Sequence, residues 1–177
     1  MQPFVHLHVH SQYSVLDGQA SVKALVDKAI ANGMRGIALT DHGNMFGIKE
    51  LTDYVNKKNK DVDGEIKNLK KTIEELKSAD AVHQEALSKA ETALKEAESK
   101  IFTPIIGCEM YVADNDMTDR SNKKDIGRHL IVLAKNQHGY HNLIKLVSNA
   151  WTDGYYYHPR TDKKQLEKYH EDLIVCS

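Results

Sequence analysis

One stretch of 44 residues, 57–100, constrains the architecture of this 177-residue chain more than any other feature. It contains ten lysines and ten acidic residues but only one glycine, no proline and no aromatic residue. All the aromatic residues lie in the rest of the chain. This contrast predicts a single domain, residues 1–177, that is interrupted by a charged helical insertion at residues 57–100.

Apolar residues within the insertion recur at spacings of three and four, which is typical of a packed helix face. This seam consists of Val62, Ile66, Leu69, Ile73, Leu76, Leu87, Ala90, Leu94, Ala97 and Ile101. Because the seam fails at Asp80 and His83, we expect the insertion to fold back there as an antiparallel helical hairpin. The alternative is one continuous helix of about 60 Å, since the two halves of the seam are in phase. A solvated insertion is favoured over a partner-docking arm.

Outside the insertion, strand-like and helix-like segments alternate along the chain. The predicted strands are Phe4–His10, Gly36–Thr40, Ile105–Val112, Leu130–Ala134 and Leu173–Cys176, and the predicted helices are 22–32, 46–55, 140–150 and a short one ending at Tyr169. Ser21 is the expected N-cap of the first helix, and Thr161 or Asp162 that of the last. This succession predicts an α/β fold with a mainly parallel sheet, either open or part of a barrel. Because no helix follows the last strand, we expect the chain to be part of a longer protein.

Composition excludes several classes of protein. The net charge of −1 gives no basic footprint for nucleic acid, so any such contact must be local. No apolar run approaches the roughly 20 residues of a membrane span, and the first residues lack the features of a secretory signal. The two cysteines, Cys108 and Cys176, form no Cys-x-x-Cys pair, which is typical of a reducing compartment. We therefore expect a cytoplasmic protein.

Three histidines alternate near the N-terminus, at His6, His8 and His10. Residues at this spacing in a strand project from one face, and imidazole is the commonest protein ligand of transition metals. The pattern predicts a metal site. The alternative is a solvent-facing strand that carries incidental histidines.

Three further residues fit the same chemistry. His42 follows the second predicted strand, and the carboxyl ends of strands carry the ligand sites of α/β folds. Glu109 is a carboxylate in an otherwise apolar strand, where its burial is costly unless it is paired or bound to a cation. His129 opens the next strand, whereas Asp17, followed by Gly18, is by itself mainly a turn signal. Histidine mixed with carboxylate suits Zn²⁺, Mn²⁺ or Fe²⁺, and several such ions form the clamp used for phosphate-ester hydrolysis.

Five motifs resemble, in order, those of the PHP (polymerase and histidinol phosphatase) family. They are His8-Val9-His10-Ser11, Asp17-Gly18, Thr40-Asp41-His42-Gly43-Asn44, Pro104-Ile105-Ile106-Gly107-Cys108-Glu109 and His129-Leu130-Ile131-Val132-Leu133-Ala134. The resemblance covers residues 3–56 and 102–177, and it is closest to the members that form the N-terminal domain of bacterial replicative DNA polymerases. It implies a distorted seven-stranded (β/α) barrel, truncated here at its C-terminus, that binds up to three metal ions.

The resemblance also implies a set of metal ligands, with Zn²⁺ or Mn²⁺ as the expected ions. The matching positions are His8, His10, Asp17, His42, Glu109 and His129. Three more ligands of the family, a cysteine and an Asp-x-His pair, would follow Ser177, and Cys176 does not take the place of that cysteine. Asp41 or His6 is proposed to move a proton. Arg160 matches a basic position to which no chemistry is assigned.

The function implied by the resemblance is that of a domain in a replicative DNA polymerase, which acts with DNA and other replisome subunits. The chain alone lacks the polymerising domains and is expected to be at most a weak metal-dependent phosphoesterase. In the intact protein the resemblance implies either a metal-dependent 3′–5′ exonuclease or a domain that has lost this activity. Two alternatives are a stand-alone phosphatase of the histidinol-phosphate type and a non-catalytic scaffold that binds a separate proofreading exonuclease subunit.

Overall fold

The computed structural model describes residues 4–15, 17–78 and 84–177. Its helices are α1 (Val22–Ala31), α2 (Ile48–Ser78), α3 (Gln84–Lys100), α4 (Gln137–Thr152) and α5 (Lys163–Tyr169). Its strands are β1 (Gly36–Leu39), β2 (Thr103–Val112), β3 (Arg128–Ala134), β4 (Tyr155–Tyr156), β5 (His158–Thr161) and β6 (Leu173–Cys176). Within these ranges, no helix is both long and apolar enough to cross a membrane.

The strands form one mixed sheet around the long strand β2, in the order β4-β5-β2-β3-β6 with β1 also paired to β2. β1 and β5 run parallel to β2, whereas β2 with β3, β3 with β6 and β4 with β5 are antiparallel. The α/β class is confirmed, but the prediction of a mainly parallel sheet is wrong. The physical reason is the connection from β2 to β3, residues 113–127, which contains no helix. A parallel neighbour needs a crossover, usually a helix, that returns the chain to the opposite end of the strand.

Residues 4–10 lie beside β1 without forming the regular strand that was expected. The backbone N–H of Ala38 donates to the carbonyl of His6, and that of Thr40 donates to the carbonyl of Val9, both at 2.9 Å. The chain thus advances by two residues from Ala38 to Thr40 but by three residues from His6 to Val9. One extra residue of this kind is a bulge, and it reverses the alternation of side chains at that point.

Two helix caps lie where the sequence places them. The Ser21 side chain accepts a hydrogen bond from the N–H of Ala24, and α1 is followed by Gly33 at a φ of 73°. At α5 the cap is Asp162, whose carboxylate accepts from the N–H of Gln165. These caps bound the helices that cover the sheet.

The apolar core lies between the sheet and its helices. At one end of the sheet α1 and the first part of α2 pack against β1, with Val22, Val26, Leu51 and Val55 fully buried. Further along the same face α4 packs against β2 and β3, through residues that include Leu143, Leu146, Cys108 and Val132. Because Glu109 alternates with Cys108 along β2, its side chain lies on the opposite face of the sheet, away from these helices.

The insertion forms an antiparallel pair of helices. Helix α2 continues from the sheet domain into the insertion without a break at residue 57. Ion pairs join Lys70 to Glu98 at 3.4 Å and Lys77 to Glu91 at 3.2 Å, so α3 runs back along α2. The hairpin is confirmed and the continuous helix is wrong. The expected turn at Asp80 and His83 lies outside the described residues.

The predicted seam faces the inside of this hairpin. Ile73 and Ala97 are buried, and every other seam residue is less exposed than the charged residues around it. The hairpin is therefore built on its own narrow apolar stripe.

Candidate metal centre

Glu109 lies at the middle of the centre, in β2, with only 1% of its surface exposed. The N–H of Gly43 donates to its carbonyl at 2.8 Å, and its own N–H donates to the carbonyl of Asp41 at 3.1 Å. These two bonds fasten the segment that follows β1 against β2. They place His42 directly beside Glu109.

The neighbouring strand β3 supplies His129. In the antiparallel register His129 is opposite Tyr111, which lies two residues beyond Glu109 and therefore on the same face of the sheet. The Nδ1 atom of His129 contacts Oε1 of Glu109, and Nδ1 of His42 lies 3.3 Å from the same oxygen.

The N-terminal segment supplies His8 and His10 to the other carboxylate oxygen. Oε2 of Glu109 lies 2.6 Å from Nε2 of His8 and 3.0 Å from Nε2 of His10. The two Nε2 atoms are 3.0 Å apart. Each oxygen of one buried carboxylate therefore faces two imidazole nitrogens.

Two groups of possible metal ligands share Glu109. One is His8, His10 and Glu109, the other is His42, Glu109 and His129, and within each group the ligand atoms lie within 4.8 Å of one another. The structure thus brings together five of the six residues whose positions match family ligands. Whether each binds a metal ion remains a proposal.

Asp17, the sixth residue, lies at the edge of the centre and belongs to neither group. Its carboxylate is 2.6 Å from Nε2 of His42, and this hydrogen bond holds the pKa of Asp17 below its ordinary value. With its Nε2 proton donated to Asp17, His42 keeps a lone pair on Nδ1, the atom that faces Glu109. The contact in the structure therefore orients His42, and a ligand role for Asp17 stays a prediction.

The hydrogen bonds of Ser14 determine in a similar way which ring nitrogen of His10 carries the proton. The Ser14 hydroxyl donates to Asp41 at 2.8 Å and lies 3.0 Å from Nδ1 of His10. Because its own proton goes to Asp41, the hydroxyl accepts from Nδ1, which leaves the lone pair of His10 on Nε2. Burial, and then the nearby His42, lowers the pKa of His10, which favours the neutral imidazole that metals bind.

Two buried polar atoms of the centre have no hydrogen-bond partner among the described residues, Nδ1 of His42 and Oε1 of Glu109. Leaving a buried polar group unpaired costs about 1–3 kcal/mol. His42 and His129 approach Oε1, but neither is aligned to donate a hydrogen bond to it. Lone pairs that converge on a buried carboxylate fit a divalent cation.

Asp41 and His6, the two residues suggested for proton transfer, make contacts outside the two ligand groups. Both Asp41 oxygens accept hydrogen bonds, from the backbone and hydroxyl of Ser11 and from the Ser14 hydroxyl. His6 stands outside both ligand groups, and its ring packs edge-on against Phe4 at 4.8 Å. Within the described residues these contacts give Asp41 a positioning role, and proton transfer by either residue stays a prediction.

Sequence reasoning missed the residues that organise the centre. Ser11 and Ser14 are fully buried, yet their spacing from Asp41 carries no pattern that a single sequence reveals. Arg160 is also fully buried, and its guanidinium donates to the carbonyls of Met117, Asp119 and Asp125 at 2.9 Å each. Its chemistry is structural, because it holds the loop between β2 and β3 closed beside the centre.

A mixed α/β sheet with a histidine and carboxylate cluster at its strand ends is the arrangement expected of a PHP domain. A family model for the PHP domain matches residues 6–177, and the chain belongs to this family. It is 40% identical over 179 residues to DNA polymerase III subunit alpha of Borreliella burgdorferi and 41% identical over 177 residues to that of Treponema pallidum. The corresponding subunit of Helicobacter pylori strain 26695 is 33% identical over 175 residues. Each match covers 98% of this chain, which spans only about 12% of the length of the first two relatives.

Proposed function

We propose that this chain is the metal-binding PHP domain of a bacterial DNA polymerase III alpha subunit, and that its centre hydrolyses phosphodiester bonds at the 3′ end of DNA in the intact protein. One observation carries the proposal: the buried Glu109 offers one oxygen to His8 and His10 and the other to His42 and His129. The names of the relatives support the polymerase context over a stand-alone phosphatase. The proposed partners are DNA, the other replisome subunits and a proofreading exonuclease subunit.

In this proposal the two groups of ligands that have Glu109 in common would each hold a divalent ion. His8 and His10 would complete one site, and His42 and His129 the other. Zn²⁺ and Mn²⁺ suit this mixture of imidazole and carboxylate, and such ions activate water and neutralise the charge of a phosphate ester. Asp41, acting through Ser14, holds the proton of His10 on Nδ1, and Asp17 holds that of His42 on Nε2.

A seven-stranded barrel, completed by residues beyond Ser177, belongs to the proposal as well. Three further ligands of the family would come from that part of the protein. Because a multi-ion centre needs every ion fixed in place, we expect the 177-residue chain alone to bind metal and to hydrolyse DNA only weakly.

Metal binding is tested by titrating the metal-free chain with Zn²⁺ or Mn²⁺ in a calorimeter. The Glu109→Gln variant is expected to bind more than tenfold more weakly, since loss of even an outer-shell partner typically costs about 10–100-fold. Glu167→Gln, a change on α5 away from the centre, is the matched control. Unchanged affinity in Glu109→Gln would contradict the proposed site.

Hydrolysis is tested separately, by following nucleotide release as the stepwise shortening of single-stranded DNA labelled at its 5′ end. We expect slow release that requires added metal and is lost in Glu109→Gln. Metal binding without any release, in this chain and in the intact protein alike, would instead identify the domain as the scaffold for a proofreading subunit.

A further inference from the structure

A cleft of about 650 Å³ opens beside the candidate metal centre. Asp17, His42 and His129 line it on the side of the centre. The rest of its wall is rich in aromatic rings, among them Trp151 and Tyr155. A molecule that enters this cleft and reaches the centre would lie beside these rings.

Trp151 and Tyr155 form a stacked pair, with ring centroids 5.5 Å apart and planes inclined by 21°. The indole N–H of Trp151 donates to the carbonyl of Gly43 at 2.7 Å. This bond fixes the tryptophan to the residue that follows His42. The side chains are nevertheless 44% and 47% exposed, so the pair presents aromatic surface that the described residues do not cover.

Tyr157 adds a further aromatic ring to the wall of the cleft, and it is 67% exposed. It is the turn residue between β4 and β5, since Tyr156 and His158 on either side of it are paired. Its φ of 59° belongs to this tight turn, which presents the ring at the surface.

The charges of the cleft are unlike those of a phosphate-binding groove. Among its described lining residues there is no lysine or arginine, and Asp17 is the one carboxylate. A phosphate could therefore be held only at the metal centre, and the remaining wall offers flat aromatic faces. A nucleobase is the part of a nucleic acid that such faces bind, through stacking that tolerates any base.

We infer that the cleft binds a base of single-stranded nucleic acid, stacked on the Trp151–Tyr155 pair, while the adjoining phosphodiester lies at the metal centre. The inference rests on the proposed function and adds to it the residues that position the substrate. Trp151 and Tyr155 are positioning residues in this account, since neither lies among the ligand groups.

The test uses tryptophan fluorescence, because Trp151 is the only tryptophan of the chain. The Zn²⁺-loaded chain is titrated with a short oligothymidylate and with an abasic oligonucleotide of the same length and charge. We expect the oligothymidylate to quench Trp151 and to bind at least about tenfold more tightly, since one stacked base contributes about 1–3 kcal/mol.

Variants of Tyr155 separate stacking from a structural role. Tyr155→Ala is expected to weaken oligothymidylate binding about tenfold and to leave abasic binding unchanged, while Tyr155→Phe keeps the ring and restores the affinity. Phe4→Ala removes an exposed aromatic ring outside the cleft and serves as the control. Should Tyr155→Ala fail to fold, the comparison of the two oligonucleotides on the unaltered chain decides by itself.

Nucleotide release measured in the same samples keeps this inference distinct from the proposed function. Equal binding of the two oligonucleotides with metal-dependent hydrolysis would overturn base stacking and leave the proposed function standing. Base-dependent quenching without hydrolysis in either this chain or the intact protein would support the stacking site and overturn the proposed activity. Absence of binding by both oligonucleotides would overturn the stacking site.

Discussion

The hairpin of α2 and α3 keeps its charges in solvent, whereas the sheet domain buries several of its own. In the hairpin, pairs such as Lys77 with Glu91 lie on the surface, where an ion pair contributes about 0–1 kcal/mol. In the sheet domain Glu109, Asp41 and Arg160 are each at most 1% exposed. A buried charge is costly unless it is paired, hydrogen-bonded or bound to a cation. Substitution of a charged residue should therefore change stability little in the hairpin and strongly in the sheet domain.

The largest effect is expected from Arg160→Ala in the sheet domain. The change leaves three carbonyls of the loop between β2 and β3 without their donor, together with the partly paired carboxylate of Asp125 at 3.6 Å. Breaking a buried charge network typically costs about 3–5 kcal/mol. We expect a loss of that size in the free energy of unfolding, measured with urea.

Arg128→Ala is the matched control for this change. Arg128 contacts Asp114 of the same loop, but its side chain is 80% exposed. Little change in stability is expected. Similar losses for the two variants would remove the distinction between buried and exposed charge drawn here.

Asp41→Asn should give the next largest effect. The carboxylate accepts three hydrogen bonds from Ser11 and Ser14, and an amide nitrogen would oppose one of these donors. We expect a loss of about 2 kcal/mol in stability and a roughly 10–100-fold loss of Zn²⁺ affinity, because Ser14 no longer orients His10. Urea unfolding and calorimetric titration measure the two effects.

The control for Asp41→Asn is Asp53→Asn, whose carboxylate pairs with Lys49 on the surface of α2. A stability loss in Asp41→Asn without any change in metal affinity would mean that Asp41 supports the fold alone. That outcome would contradict the positioning role assigned to it.

Removal of most of the hairpin should cost less than either change. The deletion spans residues 63–98 and joins Val62 to Ser99 through a short Gly/Ser link. It spares Asn59, whose side chain exchanges two hydrogen bonds with the backbone of Phe102 at the base of the hairpin. Within the deleted and described part, only Ile73 and Ala97 are buried. We expect unchanged Zn²⁺ affinity and a stability loss below about 2 kcal/mol.

A larger loss in urea unfolding would show that the hairpin belongs to the core of the domain. The division of the chain at residues 57–100 would then be wrong. A matched deletion that also removes Asn59 is expected to be less stable, because Phe102 would lose both hydrogen bonds.

The hairpin could be predicted from the sequence because one rule governs it. A helix with a single apolar stripe places its residues by periodicity alone, and Ile73 and Ala97 are buried where that rule puts them. The sheet follows no such simple rule. β4 and β5 lack an alternating pattern and include Pro159, so the sequence does not predict them.

The candidate centre was predictable where a residue type was unusual for its place. Glu109 stood out in an apolar strand, and His8 and His10 stood out by alternation. The serines that orient these ligands did not stand out in the sequence. A buried serine acquires its role only from long-range contacts, such as that of Ser14 with Asp41. The bulge that separates His6 from the cluster likewise depends on pairing with β1.

Acidification should produce the smallest effect, and it should arise in the sheet domain alone. Burial, followed by His42, holds the pKa of His10 below its ordinary value of 6.5. Just below pH 6.5 the unfolded chain therefore binds a proton that the folded chain does not, so stability falls as the pH is lowered through this window. The pKa of His158 is also lowered, mainly by burial, so its titration likewise reduces stability as the pH falls.

The measurement compares the free energy of unfolding of the metal-free chain at about pH 7 and about pH 5.5. The deletion of residues 63–98 removes one histidine, His83, but keeps His10 and His158, so the shortened chain should lose the same amount of stability as the intact chain. His10→Gln removes one of the two responsible groups and should reduce the loss. A loss that disappears with the hairpin would place the titrating groups in the insertion, because the histidines of the sheet domain remain in the shortened chain.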